Sequence, residues 1–416
     1  MEKIYEKFRD AKVDGLFVPH CNFGTEYEVC RLAKKLNVPV LLWGPRDECP
    51  DENGMRLRDS QCGLFATGKV LRRFGIPFTY LKNCNLEDEC FAEGIDRFLR
   101  VCNVVKAFRN TRVLQISTRP FDFWSTMCNE GELLEKFGIQ LSPIPMPELT
   151  QAMKDVKENS PEEIKEVTDY CREKMCIKVT PEQLDNVAAL KIAMTRLGKK
   201  YGCNCGAIQC WNALQDEIGI MPCAANALCN DEGFPIACET DIHGTITSVL
   251  VEAAAMGETR SFFADWTVRH PYNDNAELLQ HCGPWPISIA KEKPTIDTPV
   301  AFACSGSLMA QAKDGEHISL VRFDGDNGEY SLLLGNAKTV DGPYTKGTYM
   351  WVEVENLDRL EDKLVQGPYI HHCVGVHQDV VPVLYEACKY IGVTPDLYDP
   401  IEEKVKAIIR GEKVEK

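Results

Sequence analysis

The stretch "GLFVPHCNFGTEYEVCRLAKKLNVPVLLWG", residues 15–44, contains two apolar runs on either side of an amphipathic segment. A strand, a helix and a second strand in this order form a βαβ unit, in which the two strands run parallel. The same alternation continues in later runs such as "PFTYL" and "TRVLQIS". The sequence therefore predicts a mostly parallel α/β domain over residues 1–150.

Parallel sheets of this kind bind ligands at the carboxyl ends of their strands. The loop "PHCNFGTE", residues 19–26, follows the first strand and is therefore a candidate ligand-binding segment. The stretch "GLFATGK" (residues 63–69) has the spacing of a phosphate-binding P-loop, but Val70 replaces the required Ser or Thr and no strand precedes it. We predict neither a P-loop nor, since no G-x-G-x-x-G follows a strand, a dinucleotide cofactor.

The overall composition is that of an ordinary folded protein. The chain has 416 residues, of which 44% are hydrophobic and 26% are charged. Its formal net charge of −15 argues against nucleic acid or an anionic membrane as a partner. The N-terminus lacks the apolar core of a signal peptide and no run is long enough to span a membrane, so we expect a cytoplasmic protein.

Twenty cysteines are scattered through the chain. In a long chain without an export signal they are expected to be reduced thiols, most of them buried. The densest group is "GCNCGAIQC", with Cys203, Cys205 and Cys210. It lacks the C-x-x-C spacing of zinc and iron–sulfur sites, which argues against a metal site within it.

Two changes of pattern divide the chain further. The charged stretch "MKDVKENSPEEIKE" indicates the passage into a second domain, in which a helix over residues 181–202 precedes a loop-rich region at 203–290. From residue 296 strands dominate, and they are separated by Asp-Gly and Asp-Asn-Gly turns: "TPVAFACSGS", "HISLVRFDG", "EYSLLLGNAKTV" and "TYMWVEVE". We predict a central metal-bearing α/β domain over 151–295 and a β-rich, barrel-like domain over 296–416.

Three predicted strand ends in the second half carry ionisable residues. Glu239 follows "PIAC", Asp265 follows "SFFA", and the pair His371 and His372 follows "GPYI". Asp241 is the better N-cap for the amphipathic helix that follows, which leaves Glu239 free to face a cavity. Adjacent strand residues point to opposite faces, so only one histidine of the pair is expected to enter a shared site.

Carboxylates combined with one imidazole form a hard, oxygen-rich set of donors. Such a set suits Mn²⁺ or Mg²⁺ better than Zn²⁺ or copper. We therefore expect Mn²⁺, or another divalent cation such as Mg²⁺ or Co²⁺, as the cofactor.

Four motifs in this order resemble the L-fucose and L-arabinose isomerases. They are "CETDIHG" around Glu239, "FFADW" around Asp265, "QHCGPWPISIA" around His281, and "HHCVGVH" with His372. The resemblance implies that Glu239 and Asp265 are both metal ligands and acid/base groups, and that His372 is the third ligand. His281 resembles a metal ligand of the arabinose branch, whereas Asp265 resembles the fucose branch, so the role of His281 stays open.

The resemblance also indicates a substrate side. Gln209 and Trp211, in "AIQCWNAL", resemble a substrate-facing segment, and Trp266 beside Asp265 would suit the face of a sugar. The family implies homo-oligomers, trimers or hexamers, with sites between subunits. In such an assembly His20 and Asn22 of one chain would complete the pocket of its neighbour.

These residues suit an intramolecular oxidoreductase that interconverts an aldose and a ketose. A divalent cation chelated by both substrate oxygens would stabilise an enediolate while the two carboxylates move the proton between C2 and C1. A metal-dependent aldolase or epimerase uses the same stabilisation and is one alternative. A non-catalytic sugar-binding module is the other.

Overall fold

A computed structural model describes residues 1–299 and 304–414. The strands are β1 (Leu16–Pro19), β2 (Val40–Trp43), β3 (Thr79–Tyr80), β4 (Arg112–Ile116), β5 (Gln140–Ile144), β6 (Cys176–Ile177), β7 (Cys205–Ile208), β8 (Ile236–Ala237), β9 (Phe262–His270), β10 (Asn273–His281), β11 (Thr295–Asp297), β12 (Ser307–Gln311), β13 (Ile318–Asp326), β14 (Glu329–Val340), β15 (Thr348–Glu353), β16 (His372–Val376) and β17 (Thr394–Leu397). The α-helices are α1 (Glu2–Asp10), α2 (Glu26–Leu36), α3 (Ser60–Arg73), α4 (Glu89–Arg109), α5 (Glu130–Glu132), α6 (Met146–Asn159), α7 (Pro161–Lys174), α8 (Pro181–Tyr201), α9 (Ala213–Ile218), α10 (Cys223–Asp231), α11 (Ile242–Ala254), α12 (Leu357–Gln366), α13 (Val381–Ile391) and α14 (Glu402–Arg410). Helix α5 continues into a π-helix at Leu133–Phe137, and 3₁₀ turns lie at Trp124–Thr126 and Ile287–Ile289.

The chain divides into two compact units. The first contains Met1–Lys106, Val381–Thr394 and the chain from Pro400, and the second contains Ala107–Val380 and Pro395–Asp399. The division into three domains at residues 150 and 295 stays a prediction. Across the two described ranges no helix combines the length and the apolar character needed to cross a membrane.

The first unit is built on the predicted βαβ pattern. Its sheet has the order β1-β2-β3 and all three strands are parallel. Helix α2 ends at Asn37, whose left-handed φ of 52° turns the chain back towards β2. Buried apolar residues from β1, β2 and the flanking helices, including Leu16, Val40 and Leu71, form its core.

The second unit contains a four-stranded parallel sheet of order β5-β4-β7-β8. The predicted helix over residues 181–202 is present as α8, which begins with a capping box between Thr180 and Gln183. The expectation of a loop-rich region at 203–290 is wrong, because this segment forms strands β7 to β10 and helices α9 to α11. Strands β7 and β8 are short and fully buried, so they lack the period-two alternation that identifies a half-exposed strand.

An antiparallel barrel forms the other part of the second unit. Six strands follow one another in the order β14-β13-β16-β9-β10-β15, and an additional pairing between β14 and β15 closes the ring. The predicted strands "HISLVRFDG", "EYSLLLGNAKTV" and "TYMWVEVE" become β13, β14 and β15. Residues 300–303 of the predicted strand "TPVAFACSGS" lie outside the described residues. The β-rich part is therefore barrel-like as predicted, but β9 and β10 also belong to it.

Two of the three predicted strand ends are wrong. Glu239 does follow β8, but Asp265 lies inside β9 and His372 is the first residue of β16. The run "GPYI" before the histidines lies between α12 and β16 and forms no strand. A polar residue after an apolar run predicts the end of a strand. In this barrel the strands carry polar residues on the face that lines the site, so the strand continues through them.

Candidate active site

Glu239 stands at the carboxyl edge of the four-stranded sheet, in the turn between β8 and α11. Its side chain is buried, and both Glu239 and Thr240 have left-handed backbones, with φ of 52° and 54°. Ser117, which follows β4 at the same edge, also has a positive φ of 67°. Non-glycine residues adopt this conformation at a cost, and such residues cluster at functional sites. Asp241 caps α11 as predicted, accepting from the backbone N–H of Gly244 at 2.9 Å.

Three adjacent barrel strands bring the other predicted ligands to Glu239. His372 on β16 lies opposite Asp265 on β9, and His281 ends the neighbouring strand β10. His281 Nε2 is 3.4 Å from Glu239 Oε2 and 3.9 Å from Asp265 Oδ1. His372 Nε2 is 3.5 Å from Asp265 Oδ1. The structure therefore brings together four side chains that are widely separated in sequence.

A buried charge network fixes the orientation of His372. Its Nδ1 is 2.8 Å from Asp241 Oδ2, and the guanidinium of Arg322 pairs with both oxygens of Asp241. Although burial opposes ionisation, Arg322 and His372 hold the pKa of the Asp241 carboxyl well below its usual range. An ionised carboxylate only accepts hydrogen bonds, so Nδ1 of His372 donates its hydrogen to Asp241 and Nε2 faces Asp265.

The charged groups of the site change the pKa values of His281 and Glu239. Burial alone would lower the pKa of His281, but the carboxylates of Asp265 and Glu239 raise it to about 9. Burial would likewise raise the pKa of Glu239, yet the imidazoles of His281 and His372 lower it below its ordinary value. These shifts favour the ionised form of Glu239 and the cationic form of His281.

The donor set fits a divalent cation. Glu239 Oε2 and Asp265 Oδ1 are buried oxygens that find no hydrogen-bond partner among the residues described. Imidazole nitrogens lie 3.4–3.9 Å from these oxygens, and a bound cation would supply a closer interaction. Two carboxylates and an imidazole oriented by a carboxylate behind it are typical of a protein site for Mn²⁺ or Mg²⁺.

Comparison with known proteins identifies sugar isomerases as relatives of this chain. Residues 1–109 match the N-terminal domain of the fucose/sulfoquinovose isomerase family. The sulfoquinovose isomerases of Priestia megaterium (strain ATCC 12872 / QMB1551) and Priestia aryabhattai are each 24% identical over 410 residues, which cover 96% of this chain and 88% of theirs. That of Alkalicoccus urumqiensis is 24% identical over 362 residues, which cover 85% of this chain and 79% of its own.

The chain is similar to the fucose/sulfoquinovose isomerase family in its N-terminal domain and to sulfoquinovose isomerases along most of its length. The resemblance inferred from the four motifs is therefore confirmed. The predicted enzyme class, an aldose–ketose isomerase, is confirmed with it, because the family description and the relatives all name an isomerase.

The three residues expected to face the substrate differ from one another in their surroundings. Gln209 follows β7, and its Oε1 accepts a hydrogen bond from Ser117 Oγ at 2.7 Å. Trp211 is half-buried, and its ring lies 5.0 Å from that of Phe123. Trp266, by contrast, is buried in the barrel core, on the face of β9 opposite to Asp265. The substrate-binding roles stay predictions, and the position of Trp266 favours a packing role.

His20 and Asn22 belong to the first unit, where they follow β1. The backbone N–H of His20 donates to the carbonyl oxygen of Trp43 at 2.7 Å, and the imidazole is buried. Their contribution to a neighbouring subunit's pocket stays a prediction, as does the oligomeric state.

Several residues at the site were missed by the sequence analysis. Arg322 and Asp324 are two residues apart on β13, so they share the face that meets Asp241 and His243. An arginine in the apolar run "ISLVRF" was the available signal. His371 also offers a ring nitrogen within 4.8 Å of the ligand atoms of Asp265 and His372. The alternation rule does not exclude His371, because β16 begins only at His372.

The histidine pair can be separated by mutation. His372→Ala should remove most of the affinity for Mn²⁺, since it deletes a predicted buried ligand together with the N–H that donates to Asp241. His371→Ala should leave affinity nearly unchanged, because this side chain is exposed and no carboxylate orients it in the structure as described. Calorimetric titration of the metal-free variants with Mn²⁺ measures both. Equal losses would show that both imidazoles bind the cation.

Proposed function

We propose that this protein is a metal-dependent isomerase that interconverts the aldose and ketose forms of a sulfonated sugar of the sulfoquinovose type. The observation that supports this most directly is the convergence of Glu239, Asp265 and His372, in which one oxygen of each carboxylate accepts no hydrogen bond from the described residues. Isomerisation is favoured over the aldolase and epimerase alternatives by the relatives that cover nearly the whole chain.

Glu239, Asp265 and His372 would hold the cation, with His281 beside them. When bound, a divalent cation would supply Lewis-acid stabilisation of the negative charge that develops on the substrate oxygens. Asp241 and Arg322 support this arrangement by fixing the ring of His372.

The two carboxylates carry out the proton transfer. Glu239 enters from the edge of the parallel sheet and Asp265 from the barrel, so the reacting carbons can lie between them. An ionised carboxylate accepts the proton from C2 of the aldose and returns it to C1, and the second moves the hydroxyl proton. The lowered pKa of Glu239 keeps it in the form that can accept a proton.

Arg119 is our candidate for recognising the acidic substituent. It lies in the loop after β4, and the neighbouring Thr118 accepts a hydrogen bond from Thr240 Oγ1 at 3.1 Å. Nη1 of Arg119 donates to backbone carbonyls of its own loop, and the guanidinium forms no ion pair with a described carboxylate. A guanidinium held in this way suits a planar or tetrahedral oxyanion.

The proposal predicts activity on sulfoquinovose that depends on a divalent cation. Chelation should abolish ketose formation and Mn²⁺ should restore it. Arg119→Met should raise KM for sulfoquinovose about 10- to 100-fold, the equivalent of one charged hydrogen-bonded contact, with a smaller effect on glucose. Arg119→Lys, which keeps the charge, is the matched control and should lose less.

Chromatographic analysis of the products and initial rates on both sugars measure these effects. Turnover of glucose without any turnover of sulfoquinovose would reject the sulfonated substrate. An equal change of KM for both sugars would remove Arg119 from sulfonate recognition, and full activity after chelation would reject the metal dependence.

A further inference from the structure

The two oxygens of Glu239 face chemically different groups. Oε2 faces the imidazole of His281 at 3.4 Å, whereas Oε1 accepts a hydrogen bond from the thiol of Cys210 at 3.2 Å. The backbone N–H of Glu239 also points to Cys210 Sγ, at 3.4 Å. Cys210 therefore contacts Glu239 twice, on the side away from the histidines.

A second thiol, that of Cys238, lies close to Cys210 and Glu239. Cys238 immediately precedes Glu239, and donor atoms of Cys210, Cys238 and Glu239 all lie within 4.8 Å of one another. All three residues are buried. The thiols come from the ends of two adjacent strands, β7 and β8, which explains why no C-x-x-C spacing announces them.

We propose that Cys210, Cys238 and Glu239 form a second cation site, one that binds thiophilic ions such as Zn²⁺ and Cd²⁺. Two sulfur donors and one carboxylate oxygen suit these ions, whereas Mn²⁺ and Mg²⁺ prefer the oxygen and nitrogen donors on the other side of Glu239. On binding, each thiol ligates as a thiolate and releases its proton to solvent.

Binding of an ion at this thiol site, formed by Cys210, Cys238 and Glu239, should affect catalysis. This consequence rests on the proposed function. Glu239 belongs to both donor sets, so an ion bound to Oε1 fixes the carboxylate and adds positive charge next to the catalytic cation. Two divalent cations sharing one carboxylate repel each other in a buried site. Zn²⁺ and Cd²⁺ should therefore inhibit the enzyme by weakening Mn²⁺ binding.

The direct test is to locate Cd²⁺ in crystals of the unmodified protein. Crystals soaked in Cd²⁺ alone should show an anomalous difference peak bonded to Cys210 Sγ and Cys238 Sγ. Exposed thiols, such as Cys49 and Cys62, will also bind this ion and serve as internal controls for the soak. Peaks at the exposed thiols with none between Cys210 and Cys238 would overturn the proposal.

A solution experiment separates this site from the exposed thiols. With a competing chelator present, the absorbance of the thiolate–Cd²⁺ bond should report a high-affinity site that Cys210→Ser and Cys238→Ser each weaken about 10- to 100-fold. Cys229→Ser is the matched control, since Cys229 is a buried thiol on α10 that contacts Thr195 instead. Melting temperatures of all variants establish that they fold.

Unchanged Cd²⁺ affinity in folded Cys210→Ser and Cys238→Ser would overturn the site, as would an equal loss in Cys229→Ser. The readout does not depend on turnover. A protein that binds Cd²⁺ at these thiols but isomerises no sugar would reject the proposed function and leave the thiol site standing.

Discussion

Replacing Glu239 with Gln should lower turnover by about 10²- to 10⁴-fold, the usual contribution of a positioned acid/base group. The amide keeps the volume of the carboxylate and one oxygen that can ligate, but it cannot accept a proton from C2. Substrate affinity should therefore change much less than turnover. Initial rates over a range of sulfoquinovose concentrations separate the two quantities.

The unmodified enzyme tests the route of the hydrogen. In D₂O the ketose formed by the unmodified enzyme should carry deuterium at C1, because a proton held on a carboxylate exchanges with solvent. Complete retention of the substrate's own hydrogen would instead indicate a hydride shift. Nuclear magnetic resonance of the product distinguishes these results.

Glu277→Gln is the control for the amide substitution. Glu277 is a buried carboxyl on β10, four residues before His281, and burial followed by the charge of Glu361 raises its pKa to about 7. It takes no part in the site, so its turnover should match that of the unmodified enzyme. An undiminished rate in Glu239→Gln would remove Glu239 from the chemistry.

Local patterns predicted the elements on which the site is built. The position of Asp241 one residue before α11 identified the cap and left Glu239 to face the site. The turn at Asn327 and Gly328, both with positive φ, closes the β13–β14 hairpin as its sequence indicates. Gly244 permits the first turn of α11 to approach Phe263 on β9 closely, since a Cβ there would lie 2.5 Å from the ring of Phe263.

Local sequence patterns do not predict which strands that are distant in sequence pair with one another. The barrel closes because β14 pairs with both β13 and β15, and no local signal records which strands share an edge. The sequence alone does not show that β9 pairs with β10 and β16, so it predicts a strand end at Asp265. In the structure Asp265 lies mid-strand on the face that lines the site. The meeting of Cys210 with Cys238 depends in the same way on the order of β7 and β8 in their sheet.

The buried ion pairs of Arg322 with Asp241 and Asp324 should contribute strongly to the free energy of unfolding of the second unit. Arg322 is 1% exposed and neutralises the buried carboxylates of Asp241 and Asp324, and Asp324 also binds His243 Nδ1 at 2.9 Å. Removing one partner of a buried ion pair leaves the other charge without compensation. In this network two carboxylates would lose their cation at once.

Arg322→Met should therefore lower the free energy of unfolding by about 3–5 kcal/mol. Urea titration followed by circular dichroism measures the loss. Arg269→Met is the matched control on barrel strand β9, because Arg269 pairs with Asp358 and Glu361 at the exposed surface and its removal should cost far less. If uncompensated charge causes the loss, adding Asp241→Asn to Arg322→Met should recover part of it, since the amide still caps α11 but carries no charge. A further loss in the double variant would instead attribute the effect to packing around the guanidinium.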